Sequence, residues 1–352
     1  MDRENFIKNH EGKILEIAIK LFNLNATDLD KFDAYEGCAN LVYACSTKVQ
    51  PVILRFSFRQ DRIFNQILAE LRFITYLAEN GVRVAQPIYS RNGELIEEFF
   101  IEQSPVYLVC FEKGRGMRVP DNAYRYRNDA PIEEYFHNWG KILGQMHRLS
   151  KAYRPKNHQI RRPDWFQLHA DRLDIDAVVP NKLKIVKDRI RSLLNEIVKL
   201  PKDNQSYGLI HGDFNDGNFT VDYNNGDITV FDFDDCCNFW FAYELASAWE
   251  GGIGRIMFRG LNERISFMDN YMEKVFEGYC SENELSTSWV EKIPLFIKLI
   301  QVEEFLHFVQ YYHNPDAETQ SHLRYLIKCI EEDIPYMGFF DPIYSPETPF
   351  LL

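Results

Sequence analysis

Four acids and one amide stand where a chain could hold a phosphate-bound metal and a reacting hydroxyl. The hydrophobic run Leu209-Ile210 leads into His211, Gly212 and Asp213, with Asn218 five positions past Asp213. A second run, from Ile228 to Phe231, leads into Asp232, followed by Asp234 and Asp235. Asn224, Asn225 and Gly226 supply turn chemistry between the two. Magnesium prefers carboxylate, amide and water oxygens, so an Asn and an Asp converging on one point suit it. A further Asp beside such a metal can orient a hydroxyl and accept its proton during phosphoryl transfer. Asp213, Asn218 and Asp232 are the set with that chemistry. A blander reading makes Asp213 and Asn218 turn residues and 232–235 a solvated loop. Turn chemistry accounts for 224–226, but not for acids placed directly after two hydrophobic runs.

The spacing His211-x-Asp213-x4-Asn218 resembles the kinase catalytic loop, with Gly212 where protein kinases carry Arg. Asp232, Phe233 and Asp234 stand where those enzymes carry Asp-Phe-Gly. His-Gly-Asp-x4-Asn followed by a hydrophobic-Asp-x-Asp run resembles the aminoglycoside phosphotransferase and choline kinase superfamily, and the likeness runs from about Lys31 to Ala248. The resemblance implies an α+β, two-lobed, protein-kinase-like fold. An N-terminal nucleotide-binding lobe over 1–112, an antiparallel sheet plus a helix, would precede a larger, mainly helical catalytic and substrate lobe over 113–352. It implies transfer of the ATP γ-phosphate to a hydroxyl of a small molecule, with Mg2+ as cofactor. Asp213 would orient and deprotonate the acceptor. Asn218 and Asp232 would hold the metal, Asp234 would assist a second one, and Arg55 would clamp the phosphates that are not transferred.

The elements that must position these residues are legible as alternating and helical patterns. Strand-like runs cover 33–45 and 52–57. In the first, Gly37 either lets the backbone approach a phosphate or marks an ordinary bulge. Gly37, Asn40 and Tyr43 match a pattern that is similar in the superfamily. Arg55 occupies the position where the resembled fold has a phosphate-binding Lys; the exchange is not silent, because a guanidinium forks onto its partner where an ammonium is a point charge. A helix is expected from about Ile63 to Asn80, stopped by Gly81. The resemblance pairs its Glu70 with Arg55; a solvated helical Glu is the alternative. Further strands are expected over 82–89, 97–102 and 106–112. The last breaks into Lys113, Gly114, Arg115 and Gly116, like the hinge of these kinases, where backbone near Cys110 to Glu112 would meet adenine.

Beyond the hinge the pattern turns helical: 131–149, 183–200, then 265–279, 289–312 and 318–332. His147 invites an acid–base role, but a structural histidine is the preferred reading because the chemistry already has a base. Glu244 is read as orienting the catalytic loop. Lys182, Lys184, Lys187, Arg189 and Arg191 read as a solvated face, and 153–174 as a variable loop. Glu250, Glu303, Glu304, Tyr311 and Tyr312 are candidates to hold an ammonium group by charge and cation–π contact, none of them singled out. The Pro-containing tail from Tyr336 is expected to pack on its own domain or dock on a second subunit.

Composition narrows the function classes. With 352 residues, 45% of them hydrophobic, the chain can bury one large core or two. Its formal net charge of −12 argues against non-specific nucleic-acid binding and leans slightly toward a cationic small substrate. Seven cysteines without a C-x2-C pair give neither zinc spacing nor a disulfide framework, so reduced thiols in a cytoplasmic protein are expected. No run reaches membrane-spanning length and Met1 to Asn5 has no signal-peptide character, so no membrane association is expected. The pattern assigns no oligomeric state. Three other readings compete. A protein Ser/Thr kinase lacks an evident activation loop or Ala-Pro-Glu segment here. A pseudokinase scaffold is opposed by the intact Asp213, Asn218 and Asp232. A glycosyl or nucleotidyl transferase is opposed by the complete His-x-Asp-x4-Asn upstream.

Overall fold

A computed structural model describes residues 3–32, 40–58, 64–155, 157, 159–254, 261–312 and 316–333. The chain divides into two compact units that interleave in sequence: 1–121, 153–162 and 219–234 form the first, and 122–152, 163–218 and 235–352 the second.

The first unit is built on an antiparallel sheet. Strands β1 (Asp30–Lys31), β2 (Asn40–Ser46), β3 (Pro51–Ser57), β4 (Pro87–Ile88), β5 (Glu97–Ile101) and β6 (Ser104–Glu112) run in the order β1-β2-β3-β6-β4, with β5 also pairing β6. Alternation sets the buried face: Leu41 and Tyr43 on β2, Val52, Leu54 and Phe56 on β3, and Val106, Leu108 and Cys110 on β6. Helix α1 (Arg3–Phe22) lays Phe6, Ile14, Ala18 and Phe22 into that same core. Helix α2 (Phe64–Glu79) buries Ile67, Leu71, Phe73, Ile74 and Leu77 at helical spacing, with Glu70 among them. Of the strand expected over 82–89, only β4 forms; Val84 instead bridges Val230. The hairpin of β8 (Phe219–Val221) and β9 (Ile228–Val230) completes the unit. Gly37 lies outside the described residues.

The second unit is mainly helical. Helix α3 (Ile132–Ala152) packs on α8 (Leu261–Cys280), and a glycine on each side makes the contact close. A Cβ on Gly140 would sit 1.8 Å from the Val275 carbonyl oxygen, and one on Gly278 1.9 Å from that of His137. Two short helices, α4 (Trp165–Leu168) and α5 (Ile175–Val178), lie in the segment read as loop, each started by an aspartate, Asp164 or Asp174. Helix α6 (Lys184–Ile197) shares a core with α5, α10 (Ile293–Tyr311) and α11 (Ala317–Glu332). Lys187 departs from the solvated face expected of α6: it is buried, and Nζ donates to Asn181 Oδ1 at 2.9 Å. The single helix expected over 289–312 is two, α9 (Thr287–Val290) and α10, because Pro294 has no N–H and takes the first turn of a new helix. Strands β7 (Tyr207–Ile210) and β10 (Cys237–Trp240) form an antiparallel ribbon, and α7 (Phe241–Gly254) follows β10 directly. No helix among the described residues is long and apolar enough to cross a membrane. The tail from Tyr336 lies outside the described residues.

Candidate active site

In the second unit, β7 delivers the loop 211–218. Gly212 turns it with a φ of +89°, and a Cβ there would fall 2.3 Å from the Asp235 carbonyl oxygen, so a side chain is excluded. The Gly212 N–H donates to Glu244 Oε1 at 2.9 Å. A chain of hydrogen bonds supports Glu244 from behind. Asn283 Nδ2 donates to the Tyr279 hydroxyl at 2.7 Å, the hydroxyl lies 2.9 Å from His147 Nδ1, and His147 Nε2 lies 2.7 Å from Glu244 Oε2. Glu244, which as a carboxylate can only accept, takes the Nε2–H of His147. His147 is fully buried and stacks on Phe241 at 4.5 Å between centroids. Burial alone would raise the Glu244 carboxyl; the hydrogen bond and charge of His147, with His211 and the Gly212 amide, outweigh it and hold the group below its usual range.

Asp213 is aimed from within its own loop. Asn218 Nδ2 donates to Asp213 Oδ2 at 2.7 Å and to the Asp213 carbonyl at 2.8 Å. Asn215 Nδ2 donates to Asp213 Oδ1 at 2.8 Å, and Asn215 Oδ1 accepts from Gly217 N–H at 2.8 Å. Asn215 escapes the sequence reading; its signal is the short i, i+2 Asp-x-Asn spacing, which favours just such a local bond. Phe214, fully buried against Trp139 at 5.9 Å, pins the loop between its polar ends.

Around Asp213 in the same unit the carboxylates crowd. Burial, with the charges of Glu304, Glu303 and Asp213, pushes the Glu250 carboxyl up to about 8. Burial pushes Glu303 up to about 7 even though the Tyr243 hydroxyl donates to its Oε2 at 2.9 Å. Glu304 Oε1 lies 2.7 Å from His322 Nε2. The side chains of Glu250, Glu303 and Glu304 are half-buried, so water and small solutes reach their level. Tyr311 and Tyr312, weighed beside them in the sequence, are exposed.

In the first unit two carboxylates share one guanidinium. Arg55 on β3 donates to both oxygens of Glu70 on α2, NH1 to Oε1 at 2.7 Å and NH2 to Oε2 at 3.0 Å. Arg55 NH1 also lies 3.4 Å from Asp234 Oδ1, and the guanidinium carbon stands 5.1 Å from the Phe111 ring centre. Asp234 Oδ2 accepts from Asn40 Nδ2 at 2.8 Å. Asp232, two residues earlier, has a φ of +62°, a left-handed backbone that no local pattern announces. Cys110 is fully buried on β6 between Leu54 and Ile88, and burial pushes its thiol up. At the end of β6 the Glu112 N–H donates to the Gln86 carbonyl at 2.8 Å and the Lys113 N–H to that of Pro51 at 3.2 Å. The structure thus brings Arg55, Glu70 and Asp234 together in one unit, and Asp213 and Asn218 together in the other.

The amide oxygen of Asn218 and the carboxylate of Asp232 are each of the oxygen type that suits a hard cation. Among the described residues no three His, Cys, Asp or Glu side chains are grouped to hold a metal.

Residues 34–280 match the phosphotransferase enzyme family. Amicoumacin kinase of Bacillus subtilis (strain 168) is 28% identical over 336 residues, covering 94% of this chain and 95% of the relative. An amicoumacin kinase solved in complex with AMP-PNP, Ca2+ and Ami superposes with a TM-score of 0.84 at 25% identity, covering 99% of both chains. A microcompartment-associated aminopropanol kinase gives 0.68 at 21% identity over 91% of this chain and 95% of its own, a likeness of fold.

Proposed function

This chain belongs to the phosphotransferase enzyme family and is an ATP-dependent phosphotransferase acting on a hydroxyl group; on that premise we propose that its acceptor is a small alcohol carrying an amine. The observation that carries the proposal is the crowding of Glu250 and Glu303 around Asp213, with carboxyls raised to about 8 and 7. Burial is the larger cause and neighbouring acids add to it, so both carboxyls favour protonation until a cation arrives. An ammonium group supplies that cation and brings its own hydroxyl to the one carboxylate that the loop aims.

In this reading Asp213 is the catalytic residue: it orients the acceptor hydroxyl and takes its proton at a carboxylate oxygen. Asn215 and Asn218 keep the carboxylate from rotating. Asn218 and Asp232 would hold Mg2+, which would supply charge neutralisation at the phosphates. Arg55, aimed by Glu70, meets the phosphates that stay behind. Glu244 holds the Gly212 amide so that the loop keeps its shape while the proton moves. Catalysis is then positioning and charge neutralisation with little covalent chemistry by the protein.

The test is ADP release with ATP and magnesium across aminoglycosides, aminopropanol and choline-like alcohols, homoserine, neutral sugars and a generic protein substrate. Amine-bearing alcohols are expected to raise turnover, and Asp213→Asn to lower kcat about 10³-fold, within the range seen for loss of a positioned base. Turnover with neutral sugars alone would overturn the amine assignment. Stimulation by the protein substrate alone would move the chain to the protein kinases.

A further inference from the structure

We propose that Asp234 is a positioning residue that acts through Arg55, aiming its guanidinium and balancing its charge, and is not a metal ligand. The inference rests on the phosphotransferase reading above. It departs from the sequence expectation that this second acid assists a second metal.

Both Asp234 oxygens are directed to neighbours in the first unit. Oδ1 lies 3.4 Å from Arg55 NH1, and Oδ2 accepts from Asn40 Nδ2 at 2.8 Å. Asn40 is itself held, its Oδ1 accepting from Ser57 Oγ at 2.6 Å. The backbone is tied as well, since Arg162 NH2 donates to the Asp234 carbonyl at 2.7 Å. Arg55, Glu70 and Asp234 are 5%, 0% and 6% exposed, so water does little of the work of holding them. Metal ligands of a kinase must face the phosphates. This carboxylate faces a guanidinium and an amide instead.

The arrangement answers a need that the arginine creates. An ammonium at position 55 would be one point charge, which one glutamate can hold. A guanidinium spreads its charge over a planar fork. Glu70 takes the fork along its open edge, and the Phe111 ring restrains its plane. Asp234 places a second carboxylate 3.4 Å from NH1. Two carboxylates on one guanidinium also leave the cluster with one net negative charge. That charge opposes a metal-free nucleotide more strongly than one whose charge a metal has reduced.

The measurement that separates this role from metal ligation is ADP binding by calorimetry with EDTA, beside steady-state kinetics with Mg2+. Asp234→Asn keeps the shape and removes the charge. It is expected to tighten metal-free ADP about 3- to 10-fold, lower kcat about 10-fold and leave the Mg2+ half-saturation within about twofold. In an Arg55→Lys background, whose ammonium reaches Glu70 but not Asp234, the same change should have less than about a twofold effect. Asn40→Ala, which unlatches the carboxylate and leaves its charge, should lower kcat with the Mg2+ half-saturation unchanged. It carries the test if thermal melting shows Asp234→Asn to be unfolded. A rise in Mg2+ half-saturation in either variant, with metal-free ADP unaffected, would overturn the inference. Wild-type protein that binds no nucleotide even with magnesium would overturn the phosphotransferase reading itself, a different failure.

Discussion

Two groups of buried or half-buried acids sit in this chain, and they solve the same electrostatic problem in opposite ways. In the first unit Glu70 and Asp234 share Arg55, and every charge has a partner within 3.4 Å. In the second unit Glu250, Glu303 and Glu304 stand near Asp213 with a hydroxyl, a histidine and the charge of Arg172 for company, and two carboxyls are still raised to about 8 and 7. Desolvation penalises both groups. In the first a guanidinium bonded to both Glu70 oxygens offsets it; in the second the charge of Arg172 does not outweigh it on Glu303, as in sites that wait for a ligand. The difference lies in how closely each acid is held to its counter-charge.

The largest effect that tests this contrast belongs to Glu70→Gln. The change strips a buried guanidinium of the partner that takes both of its short hydrogen bonds, and breaking a buried pair costs about 3–5 kcal/mol in other proteins. Asp234 remains on Arg55, so the lower end, about 3 kcal/mol, is expected in urea denaturation. Such a loss shifts the melting temperature by roughly 6–12 °C for a domain of 150–250 residues. A neutral result would mean that Asp234 alone satisfies the guanidinium, and the first cluster would no longer count as closed.

Glu303→Gln should behave in the reverse sense. The carboxyl is already penalised, so its loss should leave the protein no less stable at pH 8. Its effect should fall on the acceptor: KM for an amine-bearing alcohol up about 10- to 100-fold with kcat little changed, the pattern of lost ground-state binding. Equal losses of kcat and stability would place Glu303 with the structural acids and erase the contrast.

Much of this was legible in one dimension, and the reasons are local. Hydrophobic runs ending in acids, the Asn224 to Gly226 turn and the helical spacing of α2 and α3 are all written within a few residues of where they act. Arg55 and Glu70 are only 15 positions apart on adjacent elements, so their meeting is nearly local too. Asp234 reaches its partner Asn40 across 194 positions, and no spacing rule spans that distance. The same holds for His147 and Glu244, 97 positions apart. The left-handed Asp232 is a backbone state set by packing, which side-chain type does not reveal. Pro294 was visible, but an apolar stripe that continues across it hides the new helix start.

The smallest effect is also the most specific, because it is a change of slope. Burial, with the charges of the neighbouring acids, pushes the Glu250 carboxyl up to about 8, well above the ordinary glutamate value of about 4.5 in an unfolded chain. The folded state therefore binds more protons than the unfolded state between those values, and stability falls as pH rises through that window. Glu250→Gln removes the titration. Wild type should lose melting temperature between pH 6 and 9, and the variant should lose less, by about 2–4 °C for each kcal/mol removed. The half-buried setting puts the difference at the low end of that scale. An ammonium-bearing acceptor should have the same effect on wild type as the mutation, since it supplies the missing charge and pulls the Glu250 pKa down. No such convergence is expected for Glu70, whose counter-ion is built in. If wild type and Glu250→Gln melt in parallel across the range, the second cluster is not under strain and the amine-accepting site loses its physical basis.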